Sequence, residues 1–409
     1  MVLKWVKASF LYLIIAALLG VLLRYILIAP IEGLNFRYLL HAHSHVAFLG
    51  WVFNALFAGL VFAYVPEKAT DYRLQFWLLQ IAVVGMLITF PIQGYAAASI
   101  SFSTLHIFLS WWFAAKFYQD THKIDRQNST SLSFVRWGLI FMVVSAIGPF
   151  ALGAIMAQGL SASALYNLSI YFYLHFQYNG WFSFAVFGLF FWFLENNDIP
   201  FSVVQAKNFL ILMLIATIPG YALSALWTQP AAWVYVFGFI AGIAQLLAFV
   251  CLLAILIKNK KILVTSLMKP VRYLLFFTLL ALLLKGMMQF ASAFPAIADL
   301  AYKARNFTIG YLHIVFLGFV SVFLIAWFCQ VGIVKINNRK AYVGIVLFLI
   351  GFIISELIIF LQPLFLIMGW GVLPHGNECL FAISLLMPIG IVFFFMSWIS
   401  SGSDNRILS

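Results

Sequence analysis

Long apolar runs, broken only by short charged or Pro/Gly/Asn-rich stretches, fill almost the whole chain, and no other feature constrains its fold as strongly. About 20 such residues are what an α-helix needs to cross the hydrocarbon core of a bilayer. Runs of this kind stand near 8–30, 38–64, 73–97, 101–119, 133–157, 167–195, 204–227, 231–257, 270–292, 306–332, 341–363 and 376–400. The expected fold is all-α and membrane-integral: residues 1–409 as a single transmembrane domain of about 12 helices, with little loop left over. Composition points the same way, because 65% of the 409 residues are hydrophobic, 8% are charged, and the mean hydropathy is +1.07. A soluble core of that size has nowhere to hide so much apolar surface. The first run follows Lys4 and Lys7 but lacks a small-residue cleavage site, so it reads as a retained helix rather than a signal peptide.

Basic residues orient the chain. With the amino terminus inside, 18 of the 23 Lys and Arg residues fall on the cytoplasmic side, among them Lys68, Lys123, Arg126, Lys261, Arg339 and Arg406. The other five, Arg24, Arg37, Lys285, Lys303 and Arg305, fall at outer helix ends. Both termini are then cytoplasmic, and the expected location is a bacterial inner membrane. The net charge of +12 follows from this topology and calls for no nucleic acid. Cys251, Cys329 and Cys379 form no CxxC pair and read as small packing residues.

Three segments of the chain resemble one another: "SHVAFLGWVF" from Ser44, "LHFQYNGWFS" from Leu174 and "LHIVFLGFVS" from Leu312. Each carries His, then Gly five residues on, then an aromatic. His45, His175 and His313 are separated by 130 and 138 residues and fall in expected helices 2, 6 and 10. All three helices run the same way, with the imidazoles at one depth, so the chain reads as three pseudo-symmetric parallel four-helix repeats, near 8–119, 133–257 and 270–400. Arg37 and Arg305 each stand eight residues before their histidine, with Asn167 in that place in the middle repeat. Membrane helices are low in complexity and rich in Gly and aromatics, and chance similarity is the competing reading. Histidine inside a span is costly, however, and marks an ion path, a proton relay or a cofactor.

Two imidazoles at equal depth on facing helices suit a haem iron, with porphyrin burial among Phe, Trp and Leu adding affinity. His45 with His313 is the expected pair. Within "HAHSH", His41 and His45 share a face and His43 points the other way. Arg37, Arg305 and Lys303 are outer cations suited to haem propionates, and they equally suit lipid headgroups.

These residues resemble catalytic subunit I of the haem–copper oxidase superfamily, including its cbb3-type and nitric oxide reductase branches. "TIGYLHIVFLGFV" in helix 10 is similar to that family's T-I-G-H-V-H-x-x-x-L-G-W-V, and "FRYLLHAHSHVAFLG" followed by "YVPEK" resembles its low-spin haem segment. "HFQYNG" resembles the H-x-x-x-E-G of the reductase branch, with Asn179 at the acidic position. The resemblance implies a haem–copper oxidase subunit I-like fold in twelve helices. It also implies a low-spin haem b on His45 and His313, with His43 as a substitute in helix 2. His175 would be the helix 6 ligand of a second metal, copper or non-haem iron. Respiratory electron transfer or oxygen and nitric oxide handling would follow, with cytochrome c or quinol as donor and accessory membrane subunits as partners. The chain departs from the pattern at Tyr311, where the family has the ligand of a second, high-spin haem, and in helix 7, which lacks the His-His pair. The ligand set for an oxidoreductase centre is therefore incomplete. Tyr311 reads as a packing or hydrogen-bonding residue, although Tyr also serves as a haem ligand elsewhere.

Other polar residues are less distinctive. Glu356 is a carboxylate deep in helix 11, suited to a proton relay or a polar network. His106, Asn54, Gln93 and Gln289 read as interhelical hydrogen-bonders. His375 and Glu378, at the outer start of helix 12, suit a metal ion or the docking of an electron donor, while His122 lies in a charged loop. Two other functional classes compete: a His-lined metal or proton transporter, and a non-catalytic haem sensor or assembly protein of the NnrS-like kind. No P-loop, HExxH or Ser/His/Asp pattern supports a hydrolase or an ATPase.

Overall fold

The computed structural model of the chain describes residues 1–122, 129–336 and 338–400. Of the basic residues behind the expected orientation, Lys123, Arg126 and Arg406 lie outside the described residues. The described residues are helical, with no β-strand among them. The long helices are α1 (Val2–Ile26), α2 (Phe36–Tyr64), α3 (Pro66–Gln93), α4 (Ala97–Thr121), α5 (Thr130–Ala157), α6 (164–196), α7 (Val203–Thr228), α8 (Ala232–Lys258), α9 (Lys269–Ala291), α10 (Arg305–Gln330), α11 (Arg339–Ile367) and α12 (Gly376–Ser400). Among the described residues, ten helices are long and apolar enough to cross a bilayer, and this is an integral membrane protein. Helices α4 and α6 are not among the ten, because Ser, Tyr, Trp, His, Gln and Asn dilute their aliphatic residues. Leu18, Ile92, Val250 and Phe276 are more than half exposed on these helices, as side chains facing lipid are.

The described residues divide into two compact units. The first holds Met1–Phe62, Pro66–Leu109 and the chain from Ile325 on; the second holds Ala63–Val65 and Ser110–Leu324. Aromatic rings build the interior of each. In the first unit, Trp5 of α1 stacks on Phe76 of α3 at 5.0 Å, and Phe10 meets Trp51 of α2 at 5.0 Å. Asn54 and Gln80 exchange amide hydrogen bonds at 3.2 Å, satisfying each other between α2 and α3. Between α11 and α12, Gly344 and Gly390 let the backbones touch, since a Cβ on Gly344 would sit 2.6 Å from the Gly390 carbonyl oxygen. In the second unit, Phe134 of α5 stacks on Phe191 of α6 at 5.2 Å, and Phe209 of α7 closes on Phe187 at 4.9 Å.

Three helices share one irregularity. In α2 the α-helical hydrogen bonding ends at His45 and gives way to π-helical (i→i+5) turns over Val46–Phe53. In α6 it ends at His175 and widens over Phe176–Phe182, and in α10 it ends at His313 and widens over Ile314–Ser321. Each helix then resumes its α geometry, from Asn54, Ser183 and Val322. The preceding helix packs on each widened segment: α1 on Val46–Phe53, α5 on Phe176–Phe182, α9 on Ile314–Ser321. In two cases the recurrent glycine receives an aromatic ring. A Cβ on Gly50 would sit 2.8 Å from Tyr12 Cγ, and one on Gly180 would sit 2.5 Å from Phe141 Cβ. The glycine is therefore needed for close approach rather than for backbone freedom. π-Helical turns are rare and concentrate at functional sites, and here each opens directly after a histidine.

Candidate functional site

The first unit holds the "HAHSH" run, and each of its three imidazoles has a different environment. His43 turns toward α1, where its Nδ1 donates to the Ala16 carbonyl at 2.9 Å. Gly20, one turn further along α1, leaves room for the ring: a Cβ there would lie 3.1 Å from His43 Cε1. His41 and His45 point the other way, toward the end of α3 and the turn after it, as their four-residue spacing dictates. The His41 ring meets Tyr95 edge-on at 4.6 Å, and the His45 ring lies 4.4 Å from Phe90.

A carbonyl only accepts, so the 2.8 Å bond from His45 Nδ1 to the His41 carbonyl places the proton on Nδ1. Nε2 then carries the lone pair and faces the Tyr95 hydroxyl at a long 3.4 Å. A ring fixed through Nδ1 to a backbone carbonyl, with the Nε2 lone pair held only by a long hydrogen bond from the Tyr95 hydroxyl, suits an imidazole that binds iron once that bond is displaced. The donor set fits a haem ligand, and the half-buried ring lies against aromatic rings that suit a porphyrin edge. His106 of α4 is buried in the same unit, with its ring 4.9 Å from Phe53.

In the second unit His175 is fully buried and has the opposite protonation. Its Nε2 donates to the Thr217 carbonyl of α7 at 2.8 Å, so Nδ1 is the acceptor and takes an N–H from Asn179 at 3.1 Å. Both nitrogens are engaged, and a metal on His175 would have to displace one of these bonds. Asn179, at the position where the resemblance expects an acid, instead holds this imidazole in its tautomer. The Tyr311 hydroxyl donates to Gln289 Oε1 at 3.3 Å, and its ring lies 6.0 Å from that of Tyr178. Tyr311 is thus a hydrogen-bonding residue. His313, half-buried, is the last α-helical residue before the widened turns of α10.

The expected propionate cations sit at helix ends. Arg37 is exposed in the first turn of α2, which Asn35 caps by accepting from the backbone N–H groups of Arg37 and Tyr38. Arg305 is exposed at the first position of α10. Lys303 forms an exposed ion pair with Asp299 at 2.6 Å. His375 and Glu378 are both exposed, with His375 in a left-handed conformation (φ 51°) before Gly376. Among the described residues, no group of three or more His, Cys, Asp or Glu side chains is placed to hold a metal ion.

Sequence reasoning missed one buried cation and one half-buried one. Arg24 and Lys285 read as outer-end bases, yet Lys285 is 1% exposed and Arg24 buries its Nη1 without an acceptor while Glu356 of α11 attracts the guanidinium. Only their distance from the helix end separates them from headgroup anchors in the sequence, and long side chains blur that signal. No protein-family model matches the sequence, and no curated protein does.

Proposed function

We propose that this chain is a membrane haem protein that binds a low-spin haem b with His45 as one axial ligand, built on the plan of haem–copper oxidase subunit I. The observation that carries the reading is His45 itself: Nδ1 is fixed to the His41 carbonyl, the Nε2 lone pair meets only the Tyr95 hydroxyl at a long 3.4 Å, which an iron would displace, and the ring stands among Phe90 and Tyr95. The second ligand, His313, comes from the sequence repeat and the resemblance. The widened turns after His45, His175 and His313 support the three-repeat, twelve-helix plan, because a shared backbone irregularity is harder to reach by chance than a shared short motif. A bis-histidine haem carries one electron at a time. The chain's own part is to hold the proton on His45 Nδ1 and to keep water from Nε2 with the Phe90 and Tyr95 rings.

Electron transfer in a respiratory membrane, or the handling of oxygen or nitric oxide, is the role such a haem would serve. Cytochrome c or a quinol would be the donor, in a bacterial inner membrane with both termini cytoplasmic. A second metal on His175 is the weakest part of the family plan, since Thr217 and Asn179 occupy both imidazole nitrogens. Arg37 and Arg305 remain the propionate candidates by sequence position.

The test is a pyridine haemochrome assay with a reduced-minus-oxidised spectrum on protein purified in detergent from haem-supplied cells. The expected result is a b-type spectrum, lost in His45→Ala and in His313→Ala but kept in His43→Ala. Well-folded wild-type protein without haem would overturn the reading.

A further inference from the structure

Lys285 lies in the last two turns of α9 and is 1% exposed, inside a unit made of apolar helices. Its Nζ donates to Gln289 Oε1 at 3.1 Å, and the Tyr311 hydroxyl reaches the same oxygen at 3.3 Å. Two donors fill the two lone pairs of that neutral carbonyl. An ammonium has three N–H groups, and one is used.

Among the described residues of this unit, no carboxylate is placed to balance that charge. Among its described acidic residues, Asp120 pairs with Lys116 at 3.1 Å and Asp299 with Lys303 at 2.6 Å. Glu195 accepts from Ser129 at 3.3 Å and from the Ser131 backbone N–H at 3.0 Å, and Asp198 is exposed after α6. The titratable groups nearest the cluster are Tyr311, Tyr178, whose ring lies 6.0 Å from that of Tyr311, and His175, whose Nδ1 accepts from Asn179. A tyrosine hydroxyl and a hydrogen-bonded imidazole bring no negative charge. An ammonium held in apolar surroundings by one neutral acceptor is costly, and such a charge is normally paired.

We propose that Lys285 is the anchor of a small monovalent anion, a halide or an oxyanion of a few atoms, bound within this unit beside Gln289 and Tyr311. One lysine sets the charge. The size follows from the walls: the Tyr178 ring lies 6.0 Å from both Tyr311 and Phe316, and Gly286, next in the chain, backs directly onto the Phe249 ring. None of Lys285, Gln289 and Tyr311 is a proposed haem ligand, and the bromide response below is read without reference to haem content, so the site is tested apart from the haem reading.

The experiment compares the thermal unfolding of full-length wild type, Lys285→Met and Lys285→Arg in detergent, with sodium bromide titrated against sodium gluconate at constant ionic strength. The expected result is a saturable rise in Tm with bromide in the wild type, kept in Lys285→Arg and abolished in Lys285→Met, because a ligand that binds only the folded state raises Tm by mass action. The Met variant should also be at least as stable as the wild type in gluconate, since it removes a buried charge without its counter-ion. No bromide response in the wild type, or an equal response in Lys285→Met, would overturn the proposal. If Lys285→Met does not fold, bromine anomalous scattering from wild-type crystals decides: a peak within hydrogen-bonding reach of Nζ supports the site, and its absence beside an ordered side chain refutes it.

Discussion

His41, His43 and His45 occupy alternate positions of one helix, and their chemistry diverges because a helix turns about 100° per residue. His43 ties α2 to α1 through the Ala16 carbonyl, whereas His45 directs Nε2 away from its own helix. His43→Ala should therefore lower stability by about 1 kcal/mol and leave haem content unchanged, as unfolding and pyridine haemochrome measurements on the same preparation would show. The amide pair between Asn54 and Gln80 allows a second test. Asn54→Leu alone should cost about 1–2 kcal/mol by stranding Gln80, while Asn54→Leu with Gln80→Leu should recover most of the loss in a double-mutant cycle. The opposed facing of His43 and His45 was legible in the sequence because it depends only on helical period. The tautomers were not, because they depend on which carbonyl each ring meets: His41 for His45 and Thr217 for His175.

Most helical spans were legible from their apolar runs: α2 was expected over 38–64 and runs Phe36–Tyr64. The widened turns inside α2, α6 and α10 were not legible, since a switch from i→i+4 to i→i+5 bonding leaves no mark in hydropathy. What the sequence did carry was the glycine, whose role becomes apparent only when Tyr12 and Phe141 are seen lying on Gly50 and Gly180. Gly180→Ala should destabilise by about 1–3 kcal/mol through overpacking against Phe141, and Phe141→Ala in the same chain, which removes Cγ and the ring, should cost less on top of Gly180→Ala than it does alone. Thermal unfolding of the single and double variants measures both. If Gly180→Ala is neutral, the glycine is not there to admit the neighbouring ring.

For the molecule as a whole, hydropathy alone identified an integral membrane protein, because ten helices of this length and composition have no other stable solvent. The division into two compact units was hidden, since apolar runs say where helices are and nothing about which of them pack together. Charge supplies the expected orientation, and labelling tests it. In a background without Cys251, Cys329 and Cys379, a cysteine at Gly159 should react with an impermeant maleimide in spheroplasts, and one at Asn197 only after the membrane is opened. The reverse pattern would invert the topology. The central claim, that His45 is an axial haem ligand, is tested most directly by redox titration of the haem in wild type and His45→Met, because replacing one histidine ligand by methionine raises the potential of a haem iron. The expected result is a b-type haem whose midpoint potential shifts upward in His45→Met, with a changed absorption spectrum. An unchanged potential and spectrum in that variant would contradict it.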